Sequence, residues 1–149
     1  MSTVSSSQQL PAIREAIQGL LQAFESHPQF PAQQSQRKGK IYFMHDFASR
    51  TNAMFGSLLN NTPPPDTPAT RGTIPNVVPS SMTDKQRKEL ESDAFGRCTM
   101  LHTLIYDTTG MAGMMFGEAP GQGVDVGDAV RKAADGVNAV TSDGQWGTA

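Results

Sequence analysis

A chain of 149 residues with 37% hydrophobic and 17% charged residues fits one domain whose core leaves part of the sequence outside it. A net charge of -2 supplies no global field toward nucleic acid or a membrane surface, so any nucleic-acid contact must be local. One cysteine excludes an internal disulfide framework and a multi-cysteine zinc site, the absence of an apolar leader after Met1 points to a reducing cytoplasmic compartment, and no apolar run approaches the roughly 20 residues of a bilayer span.

Residues Met1 to Gln9 are rich in Ser, Thr and Gln and are expected to form a flexible N-terminal arm or an exposed strand. Leu10, Ile13, Ile17, Leu20, Leu21 and Phe24 then fall at helical spacing, with Pro11 tolerated in a first turn and His27-Pro28 ending the pattern. Gln29 to Lys38 reads as polar connection. From Gly39 to Gly56 the sequence GKIYFMHDFASRTNAMFG reads as a strand entering a helix. Lys40, Ile41, Tyr42 and Phe43 alternate as a half-buried strand does, Asp46 or Ser49 is placed to cap, and Met54, Phe55, Leu58 and Leu59 line one helical face. Asp46 is one turn from Arg50, the spacing of a structural ion pair.

Asn60 and Asn61 precede three prolines, and residues 62–81 form a long loop holding six of the 10 prolines. A loop above roughly 15 residues inside a small domain asks for a functional explanation. Thr83 and Gln86 make a capping box for the longest helix, whose apolar face runs through Leu90, Ala94, Cys98, Leu101, Leu104, Ile105 and Thr108. That pattern fails at Gly110, Gly113 and Gly117, in a Met/Gly-rich segment. Asp125 or Asp128 is placed to cap a weaker last helix with Val130, Ala133, Ala134, Val137 and Val140 on one side, and a tail from residue 141 to 149 carries the only tryptophan, Trp146.

Chemistry-bearing constellations are few. Lys85, Arg87 and Lys88, with Arg71 in the loop before them and Arg97 farther along the helix, concentrate positive charge at one loop-helix junction. Cations near a helix N-terminus oppose its dipole by roughly 0.3 to 1 kcal/mol each, so a phosphate-facing role would account for them, whereas Glu89, Glu91 and Asp93 at helical spacing would make them an ordinary solvated face. His27, His45 and His102 lie on separate elements without metal-ligand spacing, Cys98 lies on an apolar face, and GEAPGQG at 117–123 lacks the ending of a phosphate loop. No catalytic residue, metal set or cofactor loop emerges, and the chain is read as no enzyme.

The order of strand, helix, long loop and long helix resembles a coat (capsid) protein of the rigid rod-shaped plant RNA viruses, of the tobravirus and tobamovirus kind. The resemblance is carried by Phe30-Pro31, Lys40-Ile41-Tyr42-Phe43, the helix start from Asp46 to Arg50, Asn52 to Gly56, and Ser92-Asp93-Ala94 with the apolar spacing to Ile105, roughly half of the chain. Three departures stand in the sequence. Only one helix fits before Phe30 where the family has two, Met/Gly-rich sequence replaces the family's aromatic segment after the long helix, and Arg87 and Lys88 lie farther from Asp93 than the family's basic pair from its acidic residue.

The resemblance implies a mostly helical fold: a three- to four-helix bundle over residues 10–140 with a short strand segment and a long inner loop at 62–81. It implies a subunit that self-assembles into a helical rod-shaped capsid and packages single-stranded genomic RNA, located in the virion and assembled in the host cytoplasm. RNA contacts would come from Arg71, Lys85, Arg87, Lys88, Asp93 and Arg97. Partners would then be copies of the chain itself and RNA, with no membrane, metal or cofactor. Carboxylates meeting between subunits, with Asp66, Glu89 and Glu91 as candidates, would strengthen assembly in mild acid. The rival reading is a small helical adaptor or assembly protein that binds protein and no RNA.

Overall fold

The computed structural model describes residues 6–62, 82–106 and 126–142. Five helices account for nearly all of them: α1 (Ser6–Glu25), α2 (Phe30–Gln36), α3 (Lys40–Asn60), α4 (Asp84–Ile105) and α5 (Gly127–Ser142). The protein is mostly helical, as expected, and no strand occurs among the described residues.

In α1 the residues Leu10, Ile13, Ile17, Leu20 and Phe24 are buried at the predicted spacing. The helix begins four residues before Leu10, so Ser6–Gln9 belong to it rather than to an arm, and Pro11 lies inside it. Residues 29–38, expected as connection, contain α2. One buried side chain, Phe30, anchors it, Pro31 opens it, and Arg37 closes it in the left-handed conformation at φ 55°. Seven residues with one apolar anchor leave no periodicity to detect.

The expected strand at Lys40–Phe43 is the first turn of α3. Four alternating residues fit either period, and what decides is Met44 and Ala48, buried with Ile41 at helical intervals and continued by Phe55 and Leu58. Asp46 and Ser49 accordingly lie inside α3 and cap nothing. The cap is Gly39 at φ 112°, and the orphan N–H of Tyr42 donates to Gln33 Oε1 of α2 at 3.0 Å. At the other end Asn61 turns left-handed at φ 54°, and Thr62 N–H returns to the Ser57 carbonyl at 3.1 Å.

The capping box of α4 is formed as predicted, with Gln86 N–H on Thr83 Oγ1 at 3.2 Å and Thr83 N–H on Gln86 Oε1 at 2.9 Å. Leu90, Ala94, Phe95, Cys98, Leu101, Leu104 and Ile105 form its buried face. In α5, Val130, Ala134 and Val137 are buried and Ala133 and Val140 half-buried, matching the predicted stripe; Asp128 stands in its first turn. Thr141 and Ser142, expected in the tail, still belong to α5, whereas residues 63–81 of the expected long loop, the Met/Gly-rich segment, Asp125, Thr108 and residues 143–149 with Trp146 fall outside the described residues.

Helix directions follow from contacts between far-apart residues. Glu25 meets His45, and Arg14 lies against Gly56, so α1 and α3 are antiparallel. Arg87 meets Leu58 and Arg97 meets Thr51, so α3 and α4 are antiparallel; His102 reaches Asp135 in the middle of α5, and Tyr106, one turn on, reaches Asp135 and the carbonyl of Arg131 one turn earlier, so α4 and α5 are antiparallel as well. With α5 also packed on α1, the four long helices close an up-down-up-down bundle around one apolar core. Phe55 and Phe95 meet edge to face at 5.0 Å between α3 and α4, and α2 covers the end where α1 passes into α3.

Candidate functional site

The end of the bundle formed by the C-terminus of α3 and the N-terminus of α4 holds three of the six expected RNA contacts, Lys85, Arg87 and Lys88. The chain leaves at Asn61 and returns at Met82, whose N–H donates to the Asn61 carbonyl at 3.1 Å, so the 20-residue connection 62–81 has a closed base. Met82 is buried beneath that base.

Arg87 is a structural part of it. Its Nη1 donates to the Leu58 carbonyl at 2.9 Å and lies 3.4 Å from Asn61 Oδ1. A cation one turn into α4 opposes that helix's own dipole, but antiparallel packing places it on the last carbonyls of α3, where positive charge is favourable. The sequence puzzle of a cation at a helix start is thereby resolved by the neighbouring helix. Lys85 and Lys88, by contrast, are exposed beside it.

Arg97 and Asp93 stand two to three turns farther along α4, away from this end. Arg97 Nε donates to Thr51 Oγ1 at 2.9 Å, a terminal nitrogen donates to the Phe47 carbonyl at 3.2 Å, and the guanidinium lies over the Phe47 ring at 3.9 Å. Burial pushes its pKa down, with the charge of Arg50 acting the same way and Asp93 opposing. Asp93 is exposed and makes no ion pair with it among the described residues. Asp46 and Arg50 do pair, at 2.9 Å, with side chains 42% and 74% exposed, a contact worth roughly 0.3 to 0.5 kcal/mol. The six proposed RNA contacts therefore separate: Lys85 and Lys88 form one exposed pair, Arg87 and Arg97 are spent on protein acceptors, Asp93 stands apart, and Arg71 lies outside the described residues.

The histidines have partners that sequence spacing did not reveal. His45 Nε2 lies 2.9 Å from Glu25 Oε2 and its ring sits 4.7 Å from that of Phe30, tying α1, α2 and α3 together. His102 Nε2 lies 3.1 Å from Asp135 Oδ1, and the Tyr106 hydroxyl reaches both Asp135 oxygens at 2.8 and 2.9 Å. Hydrogen bonds from His102 and then Tyr106 hold the Asp135 carboxyl below its ordinary range; the same Asp135 bond pushes the Tyr106 phenol up. No group of three His, Cys, Asp or Glu able to hold a metal occurs among the described residues. Cys98 is buried and desolvation pushes its thiol up to about 12, the opposite of an activated nucleophile.

Sequence reasoning passed over Arg14. It lies on the seam between α1 and α3, half-buried, with its guanidinium against Gly56 and its Nε enclosed without a hydrogen-bond partner. One turn earlier on the same side of α3, Asn52 is 7% exposed and its Oδ1 is likewise unpartnered. Arg14 follows Ile13 directly in an otherwise regular amphipathic pattern, and no local signal separates it from an ordinary surface cation.

Compared with protein-family models, with curated proteins and with solved structures, the chain matches none. No helix among the described residues is long and apolar enough to cross a membrane.

Proposed function

We propose that the protein is a structural coat subunit that assembles with copies of itself into a helical rod and packages single-stranded RNA. The observation that carries this reading is the closed base of the 62–81 connection. A 20-residue, proline-rich segment departs from one end of a helical bundle between residues joined by a hydrogen bond, with exposed Lys85 and Lys88 beside it. A connection of that length inside a small domain asks for a function, and cations where it leaves and returns meet the electrostatic demand of a phosphate backbone without making the whole surface basic.

Self-association draws support from the outer faces of the helices. Gly19, Gly96 and Gly136 lie inside α1, α4 and α5, where glycine costs about 1 kcal/mol relative to alanine, and a Cβ at any of them would meet nothing within 4 Å. Among the described residues nothing requires those glycines, and close approach by a neighbouring copy would account for them. In this reading Arg87 and Arg97 hold the subunit together, Lys85 and Lys88 face RNA, and the coat has no catalytic role.

Electron microscopy of the purified protein with and without RNA, together with the ratio of absorbance at 260 and 280 nm of sedimented particles, tests the reading. Rods or stacked rings carrying RNA are the expected result. Monomer at every protein concentration with RNA supplied would refute it and move the assignment to a protein-binding adaptor.

A further inference from the structure

Among the described residues, Arg50, Arg87 and Arg97 each donate to a protein acceptor and Arg131 lies 3.9 Å from Asp128. Arg14 does not, although it is packed into a helix seam rather than extended into solvent. The carbon and both terminal nitrogens of its guanidinium lie at 3.4, 3.5 and 3.6 Å from the point where a Cβ of Gly56 would stand. Near-equal distances mean that the plane of the group faces α3. Its N–H bonds, which lie in that plane, are therefore directed along the seam and not at the α3 backbone. Its Nε is enclosed without a partner.

Enclosing the Nε–H without an acceptor is unfavourable, the unpartnered Asn52 Oδ1 one turn away does not accept from it, and a guanidinium lying flat on α3 presents its two terminal nitrogens as a rigid fork along the seam. A methyl group at position 56 would meet the guanidinium in ordinary van der Waals contact, and a larger side chain would push it aside. Arg14 on α1 and Arg87 on α4 thus both reach the last two turns of α3, at Gly56 and at the Leu58 carbonyl. We infer that Arg14, lying over Gly56 in the α1/α3 seam, is an oxyanion-binding residue that takes a phosphate group through its two terminal nitrogens. Its assignment to the RNA backbone rests on the coat reading; the affinity for phosphate does not.

The test uses the full ¹⁵N-labelled chain in unassembled form, titrated with inorganic phosphate and separately with a short single-stranded oligoribonucleotide. The Arg14 Nε–H resonance, assigned by its loss in Arg14→Lys, is the readout. Both titrants are expected to shift it saturably, and Arg14→Gln is expected to lower the salt slope of RNA binding by about 0.7, the value for one phosphate on a single strand. A saturable shift with phosphate while the protein binds no RNA would leave the anion site standing and remove the coat reading. RNA bound by parent and Arg14→Gln with equal slopes, and no shift with either titrant, would overturn the inference and leave the coat reading intact. Arg14→Lys distinguishes a fork from a mere charge: if it equals the parent in phosphate affinity, Arg14 serves only the negative end of the α3 dipole and the inference fails.

Discussion

Arg97 holds Phe47 twice, donating to its carbonyl at 3.2 Å and covering its ring at 3.9 Å, and this double contact joins the middle of α4 to the first half of α3. The same guanidinium reaches Thr51 Oγ1, whose hydroxyl donates to the Phe47 carbonyl at 2.8 Å, so three residues share one closed network. A charge-assisted hydrogen bond contributes about 1.5 to 3 kcal/mol when enclosed and a cation over a ring about 0.5 to 1 at a partly exposed site.

Arg97→Ala is therefore expected to destabilise the folded subunit by about 2 kcal/mol, read as a shift in the urea midpoint at unchanged slope. Arg97→Lys should recover less than half of that, because an ammonium cannot make both bonds while lying flat on the ring. Unchanged stability with weakened RNA binding would return Arg97 to the RNA surface.

Gly39→Ala combines two penalties. The backbone stands at φ 112°, and a Cβ there would overlap the Gln33 side chain that accepts the Tyr42 N–H. A loss of about 2 kcal/mol is expected, with Gln33→Ala costing about 1 kcal/mol on its own through the lost cap. The two should be less than additive, since either one releases Gln33 from its position. A double-mutant cycle from denaturation curves measures this, and full additivity would show that Gln33 is no cap.

The periodicity of α1, α4 and α5 was legible because their apolar residues recur over about three to four turns, and the Thr83–Gln86 capping box because both of its halves are local. The start of α3 was not, since Lys40–Phe43 satisfies both periods and the residue that caps it, Gln33, belongs to a seven-residue helix with one apolar anchor. The basic cluster was visible as composition, but its division was not. Whether Arg87 meets a phosphate or the carbonyl of Leu58 is decided by the antiparallel neighbour, a partner 29 residues away. Arg14 was hidden for the same reason.

Arg87 and Lys88 should separate in a mutational test. Arg87→Ala removes a bond to the end of α3 and is expected to cost about 1 to 2 kcal/mol of stability, whereas Lys85→Ala and Lys88→Ala should leave stability within about 0.5 kcal/mol. Under the coat reading the two lysine variants together lower the salt slope of RNA binding equally for all sequences, because phosphate contacts carry no sequence information. Calorimetry and RNA titrations at several salt concentrations measure both. Identical slopes for parent and double lysine variant would exclude them from the interface.

Cys98 should be inert in the folded subunit. Its thiol is raised from 9.0 to about 12 by burial, so the neutral form is favoured by folding. That contribution is fully present below pH 9 and is lost as pH rises toward 12, because the unfolded chain releases its proton first. Alkylation by iodoacetamide at pH 8 to 9 is expected to be slow and to follow the rate or population of opening rather than reagent access. Rapid alkylation without unfolding would show that the interior of α4 is open.

The exposed glycines give a prediction in which subunit and particle respond in opposite directions. Gly19→Ala, Gly96→Ala and Gly136→Ala each add a methyl group where nothing lies within 4 Å and each lower the entropy of the unfolded chain. Every variant is expected to stabilise the isolated subunit by about 0.5 to 1 kcal/mol, measured by thermal or urea denaturation under non-assembling conditions. If these positions are glycine because another copy approaches the helix there, the same variants raise the critical concentration for rod formation, since the methyl group occupies space a neighbour needs. Sedimentation across a concentration series reads that threshold. A triple variant that is more stable as a subunit and assembles as the parent does would place the contacts between copies on other faces, leaving the glycines without a role in assembly.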